Sequence, residues 1–537
     1  MKQERADSFR WRLGWGVAVA MAAAALGVGQ PAAAAEPTFS LKPCRLKGVE
    51  HEAQCGVLKR PLDPARADGP QIDVHFAVLP AIARNKKPDP VLFFAGGPGQ
   101  SAIGLAGPVA RVLTRFLNRR DVILIDQRGT GRSAPLNCEP EAPTRPLADS
   151  ISQTRQTAVL LACRDALQKL PYGDLRQFTT TIAMADADAV RRALGADKVN
   201  VMGGSYGTRA VLEYMRQFPG SVRRAVLDGV APPDMALPGS FSPDAQRAFD
   251  ALLAACEGPQ ADPTCRQRYP GLRAQWTAVL AAMPREVVVP HPVTGRDERF
   301  TLTRDMLVGL VRLPLYAPAL ASALPFAISE AAAGRYGAIV GLATSMGGNS
   351  RGLDLAMGMH FSVVCAEDMP RLGKTGDKPG PDFGDAALVL YRDACAIWPK
   401  GNVPAAFYTM PAAPAPTLVM SGGDDPVTPP RHGERVTQAL GSKARHVVVP
   451  HAGHGLMALG CMREVMYRFV DTDEEAQALA TVLDDAKCAT QLPRPPAFAP
   501  PSPPAASAPP APTPPASAPA PHVRPGPDDA PSSKADR

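Results

Sequence analysis

Apolar and polar positions follow two patterns along the chain, and together they predict a mostly parallel sheet flanked by helices. Continuous apolar runs closed by glycines, at residues 90–99 and 119–133, are typical of strands buried on both faces. Residues 100–117, between the two runs, have apolar positions at helical spacing. Helix and strand alternate again over residues 179–230. This alternation favours parallel pairing, because parallel strands need a crossover connection between them.

A long helical insertion interrupts the alternation. Its apolar residues recur at helical spacing, as in residues 249–256, and a hairpin pattern at residues 285–302 breaks the series of helices. We therefore expect a core built from residues 36–232 and 413–490. A mainly helical cap at residues 233–412 is expected to cover one edge of the sheet.

The two ends of the chain differ in composition from the part between them. Residues 1–35 carry four basic residues, then an apolar run, and end in the small-x-small pair Ala33 and Ala35, as a secretory signal peptide does. A retained membrane anchor is the alternative, since the run is close to the shortest length that spans a bilayer. Residues 491–537 are mainly proline and alanine, which predicts a disordered tail, either a spacer or a segment without a partner. We expect an exported protein, periplasmic or secreted, without stable membrane insertion after signal cleavage.

Ten cysteines follow the expected signal peptide. An even number in an exported chain favours disulfides over thiol chemistry, and the lack of C-x-x-C spacing argues against structural zinc. If neighbours in the sequence pair, the bridges are Cys44–Cys55, Cys138–Cys163, Cys256–Cys265, Cys365–Cys395 and Cys461–Cys488. This pairing is a hypothesis, since ten cysteines permit many connectivities.

The charge of the chain excludes one class of partner. The formal net charge is +7 and the basic residues form no cluster, so nothing indicates nucleic-acid binding. No second apolar segment is long and uninterrupted enough to span a bilayer. The sequence leaves the oligomeric state open.

One serine stands in a pattern that indicates a nucleophile. The run Gly203-Gly204-Ser205-Tyr206-Gly207 fits G-x-S-x-G between a predicted strand and a predicted helix. Such a turn forces the serine into a strained backbone conformation and exposes its hydroxyl at the carboxyl edge of the sheet. The glycines are needed because side chains there would collide with the neighbouring strand or helix. The alternative interpretation is a glycine-rich turn without chemistry.

A nucleophilic serine needs a base to remove its proton, and the base needs an acid to orient it. After such a turn the partners follow in the order serine, acid, histidine, each after a later strand. Asp425 and His454 stand at those positions, and glycines beside His454 free its backbone. Asp424 is the alternative acid and His451 the alternative base. A metal site of His446, His451 and His454 is a further alternative.

The reaction also needs donors for the oxyanion of the tetrahedral intermediate. The N–H of Tyr206, next after the serine, is the first expected donor. The second is expected from the loop AGGPG after an early strand, at Gly96 or Gly97.

The same loop also fits a dinucleotide-binding pattern. Gly97-x-Gly99-x-x-Ala102 opens a helix, and Asp126 ends the next strand. Pro98 lacks the N–H that would face a phosphate, and export separates the protein from the nicotinamide pool. Both points disfavour a dinucleotide, so we expect no cofactor and no metal.

Six motifs occur in order along residues 40–490: CGVLKRPLDP, AGGPG, DQRGTGRS, GGSYGT, GGDDPVTPP and HAGHG. Their ensemble resembles the prolyl and tripeptidyl aminopeptidases, a family of serine α/β-hydrolases. The resemblance implies an α/β-hydrolase fold with a helical cap, and the removal of amino-terminal residues from peptides. It carries over the same triad of Ser205, Asp425 and His454. Ala95 departs from the family pattern, since many members have His or Asn there.

An exopeptidase of this kind must bind the free ammonium of its substrate, which requires a partner carboxylate. Glu367 and Asp368 are the candidates, although an ion pair within the cap explains them equally well. Asp126 and Arg128 look structural, below the active-site loop. We therefore expect a serine aminopeptidase whose substrate is a peptide with a free amino terminus. The alternatives are an esterase for small esters and a non-catalytic envelope binding protein.

Overall fold

The computed structural model describes residues 39–347, 355–412 and 414–500. The expected signal peptide at residues 1–35, and residues 501–537 of the expected tail, lie outside the described residues. Within the described ranges, no helix combines the length and the apolar character needed to cross a membrane.

Most strands of the chain join one central sheet. The described residues form eleven strands: β1 (Lys42–Cys44), β2 (Ala53–Pro61), β3 (Gln71–Leu79), β4 (Val91–Phe94), β5 (Val122–Ile125), β6 (Val199–Gly204), β7 (Val222–Asp228), β8 (Arg285–Pro290), β9 (Asp297–Leu302), β10 (Thr417–Gly422) and β11 (Ala444–Val449). The nine-stranded sheet has the order β1-β2-β3-β5-β4-β6-β7-β10-β11, and β8 pairs with β9 in a separate hairpin.

The expected mostly parallel sheet is confirmed. Strands β1, β2, β3 and β5 pair antiparallel in that order, and every pair from β5 to β11 is parallel. Strands β4, β5 and β10 are buried throughout, which explains their continuous apolar runs. Because parallel strands point the same way, the residues that follow β4, β6, β10 and β11 lie at one edge of the sheet.

Helices cover the sheet and build the cap. They are α1 (Ala106–Val112), α2 (Thr114–Leu117), α3 (Leu147–Ile151), α4 (Gln153–Leu167), α5 (Thr180–Ala193), α6 (Tyr206–Gln217), α7 (Leu237–Glu257), α8 (Pro263–Arg268), α9 (Leu272–Ala281), α10 (Arg304–Arg312), α11 (Pro318–Ala321), α12 (Leu324–Ala332), α13 (Gly337–Gly347), α14 (Met357–Val363), α15 (Ala386–Ile397), α16 (Pro430–Leu440), α17 (Met462–Asp471), α18 (Glu475–Asp485) and α19 (Lys487–Thr490). A π-helical turn at Val364–Asp368 continues α14.

The cap has a hydrophobic core of its own. Side chains of α7, α9, α10, α12, α13 and the β8–β9 hairpin pack around Trp276, which is fully buried. Most members of this cluster lie at residues 245–343. Later residues of the expected cap differ, since Phe361, Cys365 and Trp398 pack with the core instead. Helical periodicity predicts the buried face of a helix but not the element it packs against. The prediction that the cap extends to residue 412 is therefore wrong for this later segment.

All five predicted disulfides are confirmed: Cys44–Cys55, Cys138–Cys163, Cys256–Cys265, Cys365–Cys395 and Cys461–Cys488. Cys256–Cys265 joins α7 to α8 within the cap. Cys365–Cys395 joins the π-helical turn to α15.

Residues 491–500 pack against the molecule, although the sequence predicts an extended tail from residue 491. Arg494 forms an ion pair with Asp424 of the core, with 3.0 Å between Nη1 and Oδ2. The Phe498 ring packs edge-on against Phe326 of the cap, with 5.5 Å between centroids. One arginine and one phenylalanine make these contacts, so the proline-rich composition conceals them. The packed part of the chain therefore continues to Phe498.

Candidate active site

Ser205 occupies a sharp turn between β6 and α6. Its φ angle is +56°, in the left-handed region that residues with side chains rarely adopt. Its N–H donates to the C=O of Asp228 at the end of β7, at 2.8 Å, which holds the strained turn in place. The turn therefore presents Ser205 at the carboxyl edge of the parallel strands.

Close packing explains the glycines of the G-x-S-x-G pattern. A Cβ atom on Gly203 would lie 2.2 Å from the carbonyl oxygen of Gly207, and one on Gly207 would lie 2.3 Å from that of Phe94. Both distances are far below van der Waals contact. A Cβ atom on Gly204 would meet nothing within 4 Å. The turn therefore requires glycine at Gly203 and Gly207 but not at Gly204.

Asp425 and His454 form a hydrogen-bonded pair, with 2.8 Å between Nδ1 and Oδ2. The buried carboxylate also accepts hydrogen bonds from the N–H groups of Val427 and Thr428, at 2.8 and 2.9 Å. Burial acts to raise the pKa of Asp425, but the imidazole of His454 and these donors lower it to about 2. Burial likewise opposes the charge on His454, yet Asp425 raises the pKa of that histidine above its usual value. With Nδ1 engaged, Nε2 is the ring atom that can exchange a proton.

Further contacts fix the position of His454. Its N–H donates to the C=O of Tyr316 at 2.9 Å, and the two rings meet edge to face, 5.4 Å apart. The hydroxyl of Thr428 lies 3.0 Å from Nδ1 and donates to Asp425. A Cβ atom on Gly229 would come within 3.4 Å of the imidazole. Since Tyr316 belongs to the cap, the cap touches the histidine directly.

Asp228 links the serine turn to the histidine loop, a role that its sequence position alone does not predict. Its C=O holds Ser205, and its carboxylate accepts hydrogen bonds from the N–H groups of Leu456 and Met457, at 2.7 and 2.8 Å. Burial raises the pKa of Asp228 to about 6. In the sequence, Asp228 could have been identified as an acidic residue at the end of a continuous apolar strand.

The residues that the sequence offers as alternatives lie apart from the hydrogen-bonded pair of Asp425 and His454. Asp424 faces Arg494, and His451 lies 3.9 Å from Asp424. His446 lies 2.9 Å from the hydroxyl of Ser421, and burial lowers the pKa of this histidine to about 4. Among the residues that the structure describes, no three His, Cys, Asp or Glu side chains are grouped so that they could hold a metal ion.

The loop after β4 lies directly against the serine. A Cβ atom on Gly96 would be 3.3 Å from the Cβ atom of Ser205. Gly97 has a φ of +112°, a conformation that glycine alone adopts readily. Tyr206 is the first residue of α6, so its N–H has no acceptor within the helix. Neither Gly96 nor Gly97 donates its N–H to another described residue. The structure thus places Tyr206 and Gly96, two of the three candidate donors, at the turn of Ser205.

This loop does not suit the dinucleotide alternative. A Cβ atom on Gly99 would lie 2.9 Å from the carbonyl oxygen of Ala356, whose N–H donates to the C=O of Gly99. Asp126 accepts hydrogen bonds from the hydroxyl of Ser101 and from backbone N–H groups of neighbouring turns. Arg128 is fully buried and donates to backbone carbonyl groups. Asp126 and Arg128 thus hold the turns below the loop.

Glu367 and Asp368, the expected ammonium ligands, lie in a fully buried cluster around Arg209 of α6. Arg209 donates to both oxygens of Asp368 at 2.9 Å and lies 3.6 Å from Glu367. Glu367 accepts hydrogen bonds from the N–H and hydroxyl of Thr180, and this hydroxyl contacts that of Tyr206. Burial raises the pKa of Glu367 to about 7. Because neither carboxylate has exposed side-chain surface, the geometry favours a structural ion cluster behind the serine turn.

Two sequence profiles match the chain. One, described as alpha/beta hydrolase fold, matches residues 89–257, and the other, described as TAP-like protein, matches residues 381–510. The solved structure of a proline iminopeptidase from Mycobacterium smegmatis is 15% identical, with a TM-score of 0.37, and covers 79% of this chain and 99% of that one.

Relatives that are named as peptidases also match the chain. Serine protease Hip1 of Mycobacterium tuberculosis is 27% identical over 82% of this chain and 92% of that protein. Tripeptidyl aminopeptidase of Streptomyces lividans is 31% identical over 34% of this chain and 36% of that protein. Proline iminopeptidase of Aeromonas sobria is 32% identical over 26% of this chain and 28% of that protein. With the sheet order described above, these matches show an α/β-hydrolase fold, and the chain is similar to serine hydrolases that include a tripeptidyl aminopeptidase and a proline iminopeptidase.

Proposed function

We propose that the protein is an exported serine aminopeptidase in which Ser205, His454 and Asp425 form the catalytic triad. The observation that carries the proposal is the 2.8 Å hydrogen bond between His454 and the buried Asp425, at the sheet edge where Ser205 stands with a φ of +56°. A buried carboxylate that orients an imidazole allows the histidine to take a proton from serine and return it to a leaving amine.

In the first half of the proposed reaction, Oγ of Ser205 attacks the scissile carbonyl carbon while Nε2 of His454 accepts the hydroxyl proton. Asp425 holds the imidazole in its tautomer and stabilises the imidazolium. The carbonyl oxygen becomes negative and accepts hydrogen bonds from Tyr206 and from Gly96 or Gly97. The C–N bond then breaks as His454 passes its proton to the leaving amine, which leaves an acyl-enzyme.

Water completes the cycle. His454 takes a proton from the water molecule as the oxygen attacks the acyl carbon, and the bond to Ser205 breaks as the serine recovers a proton. The released fragment is the amino-terminal part of the substrate, with a new carboxylate. Each proton passes between the histidine and the serine, the substrate or water.

Two observations support the choice of an aminopeptidase. Relatives with clear similarity bear the names tripeptidyl aminopeptidase and proline iminopeptidase. The cap contacts the proposed base through Tyr316, so it bounds the space beside the reacting groups. A cap in this position would restrict which end of a peptide reaches Ser205.

Export is supported by the cysteines and by the amino-terminal sequence. Five disulfides are formed by ten cysteines, and disulfides persist in oxidising compartments such as the periplasm or the exterior. Residues 1–35 have the composition of a signal peptide. Mass analysis of the mature chain should place its first residue at Glu36, and retention of residues 1–35 would contradict export by this signal.

Hydrolysis of matched fluorogenic peptides with free and acetylated amino termini tests the proposal. Turnover confined to the free amines, and lost in Ser205→Ala, is the expected result. The exposed Ser442→Ala is the control and should retain activity. Turnover of simple esters, indifferent to acetylation, would identify an esterase. No Ser205-dependent turnover of either class would favour the non-catalytic alternative.

A further inference from the structure

A cavity of about 560 Å³ lies between helices α7 and α10 of the cap and, outside the cap, the end of α3 and the first turns of α4 and α15. Its walls are largely apolar and include Phe241, Val308, Leu310 and Phe383. The volume lies in the range of ligand sites, roughly 300–1,000 Å³. The proposed triad residues do not line this cavity, so the reaction described above gives it no role.

Arg312 connects the cavity to the proposed base. It ends α10, lines the cavity, and donates a hydrogen bond from Nη2 to the hydroxyl of Tyr316 at 3.2 Å. Tyr316 in turn meets the ring of His454 edge to face. A single side chain therefore separates the guanidinium in the cavity from the imidazole at the reacting centre.

The charge of Arg312 has no partner among the described residues. None of their carboxylates lies within ion-pair distance of it, and its buried Nε donates no hydrogen bond. The guanidinium instead stacks on Phe241 and Tyr316, with Cζ 4.3 and 5.6 Å from the ring centroids. Stacking fixes the plane of the group but satisfies none of its N–H donors. A fixed guanidinium with open donors suits a carboxylate, which it can bind through two parallel hydrogen bonds.

Asp305, the second charged residue that lines the cavity, does not neutralise Arg312. It stands seven residues earlier on α10, which corresponds to about 10 Å along the helix axis. Asp305 is also exposed, at the first turn of the helix. The positive end of the cavity is therefore the end nearest His454.

We propose that this cavity is a substrate subsite in which Arg312 binds a carboxylate of the peptide. The carboxylate comes from an acidic side chain or from the free carboxyl terminus of a short peptide. This inference rests on the proposed aminopeptidase function and adds a substrate class to it. A neutral peptide would leave the remaining donors of Arg312 without acceptors in a partly buried site, and that loss selects against it.

Calorimetric titration into the Ser205→Ala protein tests the proposal without turnover. One pair of peptides, Ala-Ala-Glu amide and Ala-Ala-Gln amide, tests the side-chain source. A second pair, trialanine acid and trialanine amide, tests the terminal source. The carboxylate member of at least one pair should bind about 10- to 100-fold more tightly. Arg312→Gln should abolish this preference, whereas Arg299→Gln, at an exposed position of the hairpin, should retain it.

Unfolding of each variant is measured in parallel, because Arg312 packs on aromatic rings. If Arg312→Gln does not fold, Arg312→Lys should retain only part of the preference, and added salt should weaken it in the parent protein. Equal binding of charged and neutral peptides by the folded parent would overturn the proposal, as would a preference that Arg312→Gln leaves unchanged. An intact preference without Ser205-dependent turnover in the wild type would overturn the proposed function alone.

Discussion

The Nδ1 atom of His454 lies 2.8 Å from Oδ2 of Asp425, and this bond decides which ring nitrogen carries the proton. Asp425→Asn keeps the shape of the site but favours the wrong tautomer. We expect kcat to fall by about 10³–10⁴-fold with little change in KM. Steady-state kinetics measures the effect, and Asp424→Asn, which alters a side chain facing Arg494, should stay close to wild type. A larger loss of kcat in Asp424→Asn than in Asp425→Asn would identify Asp424 as the acid.

The pH dependence of kcat/KM should report His454. Burial opposes its charge, but Asp425 and Asp228 raise its pKa above the ordinary value of about 6.5. Because the base must be neutral, kcat/KM should fall about tenfold per pH unit below that pKa. Asp425, with a pKa of about 2, stays charged over this range. Asp228→Asn removes a negative charge and should move the acid limb to lower pH, and a limb that does not move would contradict this assignment.

Two neighbouring glycines should respond differently to the same substitution. Gly207→Ala would bring a Cβ atom to 2.3 Å from the carbonyl oxygen of Phe94, whereas Gly204→Ala meets nothing within 4 Å. We expect Gly207→Ala to lower the free energy of unfolding by about 1–3 kcal/mol or more. Gly204→Ala should remain close to wild type in the same denaturant titration. Equal losses would show that the packing of this turn is looser than described.

The parts of the site near Ser205 could be predicted because their signals are local. Glycine spacing, an apolar strand before the turn and a helix after it all fall within residues 199–217. Asp425 and His454 follow their own strands in the same way. Short separations also made the pairing of the cysteines predictable.

The rest depends on contacts between distant parts of the chain. Glu367 meets Thr180 across 187 positions, and Arg209 meets Asp368 across 159. No periodicity reports such partners, so two buried carboxylates resembled substrate ligands in the sequence. The sequence does not reveal the cavity beside Arg312 for the same reason, since five separate helices bound it.

The buried cluster predicts a dependence of stability on pH. Burial raises the pKa of Glu367 from its ordinary 4.5 to about 7, so the folded protein binds this proton more tightly than the unfolded chain does. The resulting stabilisation is complete below about pH 4.5 and is lost as the pH rises to about 7. Glu367→Gln should remove this component from the free energy of unfolding measured across that range. The exposed Glu434→Gln should retain it, and an unchanged profile in Glu367→Gln would show that the group does not titrate there.

The Cys365–Cys395 disulfide should stabilise the segment after the cap. It joins residues separated by 30 positions, whereas Cys256–Cys265 spans 9. Replacing both members of the longer bridge by serine should lower the free energy of unfolding by about 2–4 kcal/mol. The same replacement at the shorter bridge should cost less, because a smaller loop gains less freedom when it opens. Urea titrations compare them, and a larger loss at the shorter bridge would contradict a loop-entropy origin.

The packing of residues 491–500 has a consequence for the motion of the cap. The chain enters the cap after β7 and returns to the core before α14, and a body joined at two points can still rotate about the line through them. Arg494 holds Asp424 of the core, while the N–H of Phe498 donates to the C=O of Ser322 in the cap at 2.9 Å. Arg247 and Asp244 of the cap also contact the core, at the C=O of Asp425 and at His432, so residues 491–500 add one restraint to several that hold the cap. Proteolysis between residues 490 and 500 would therefore remove one restraint on the cap without altering any residue of the reacting centre.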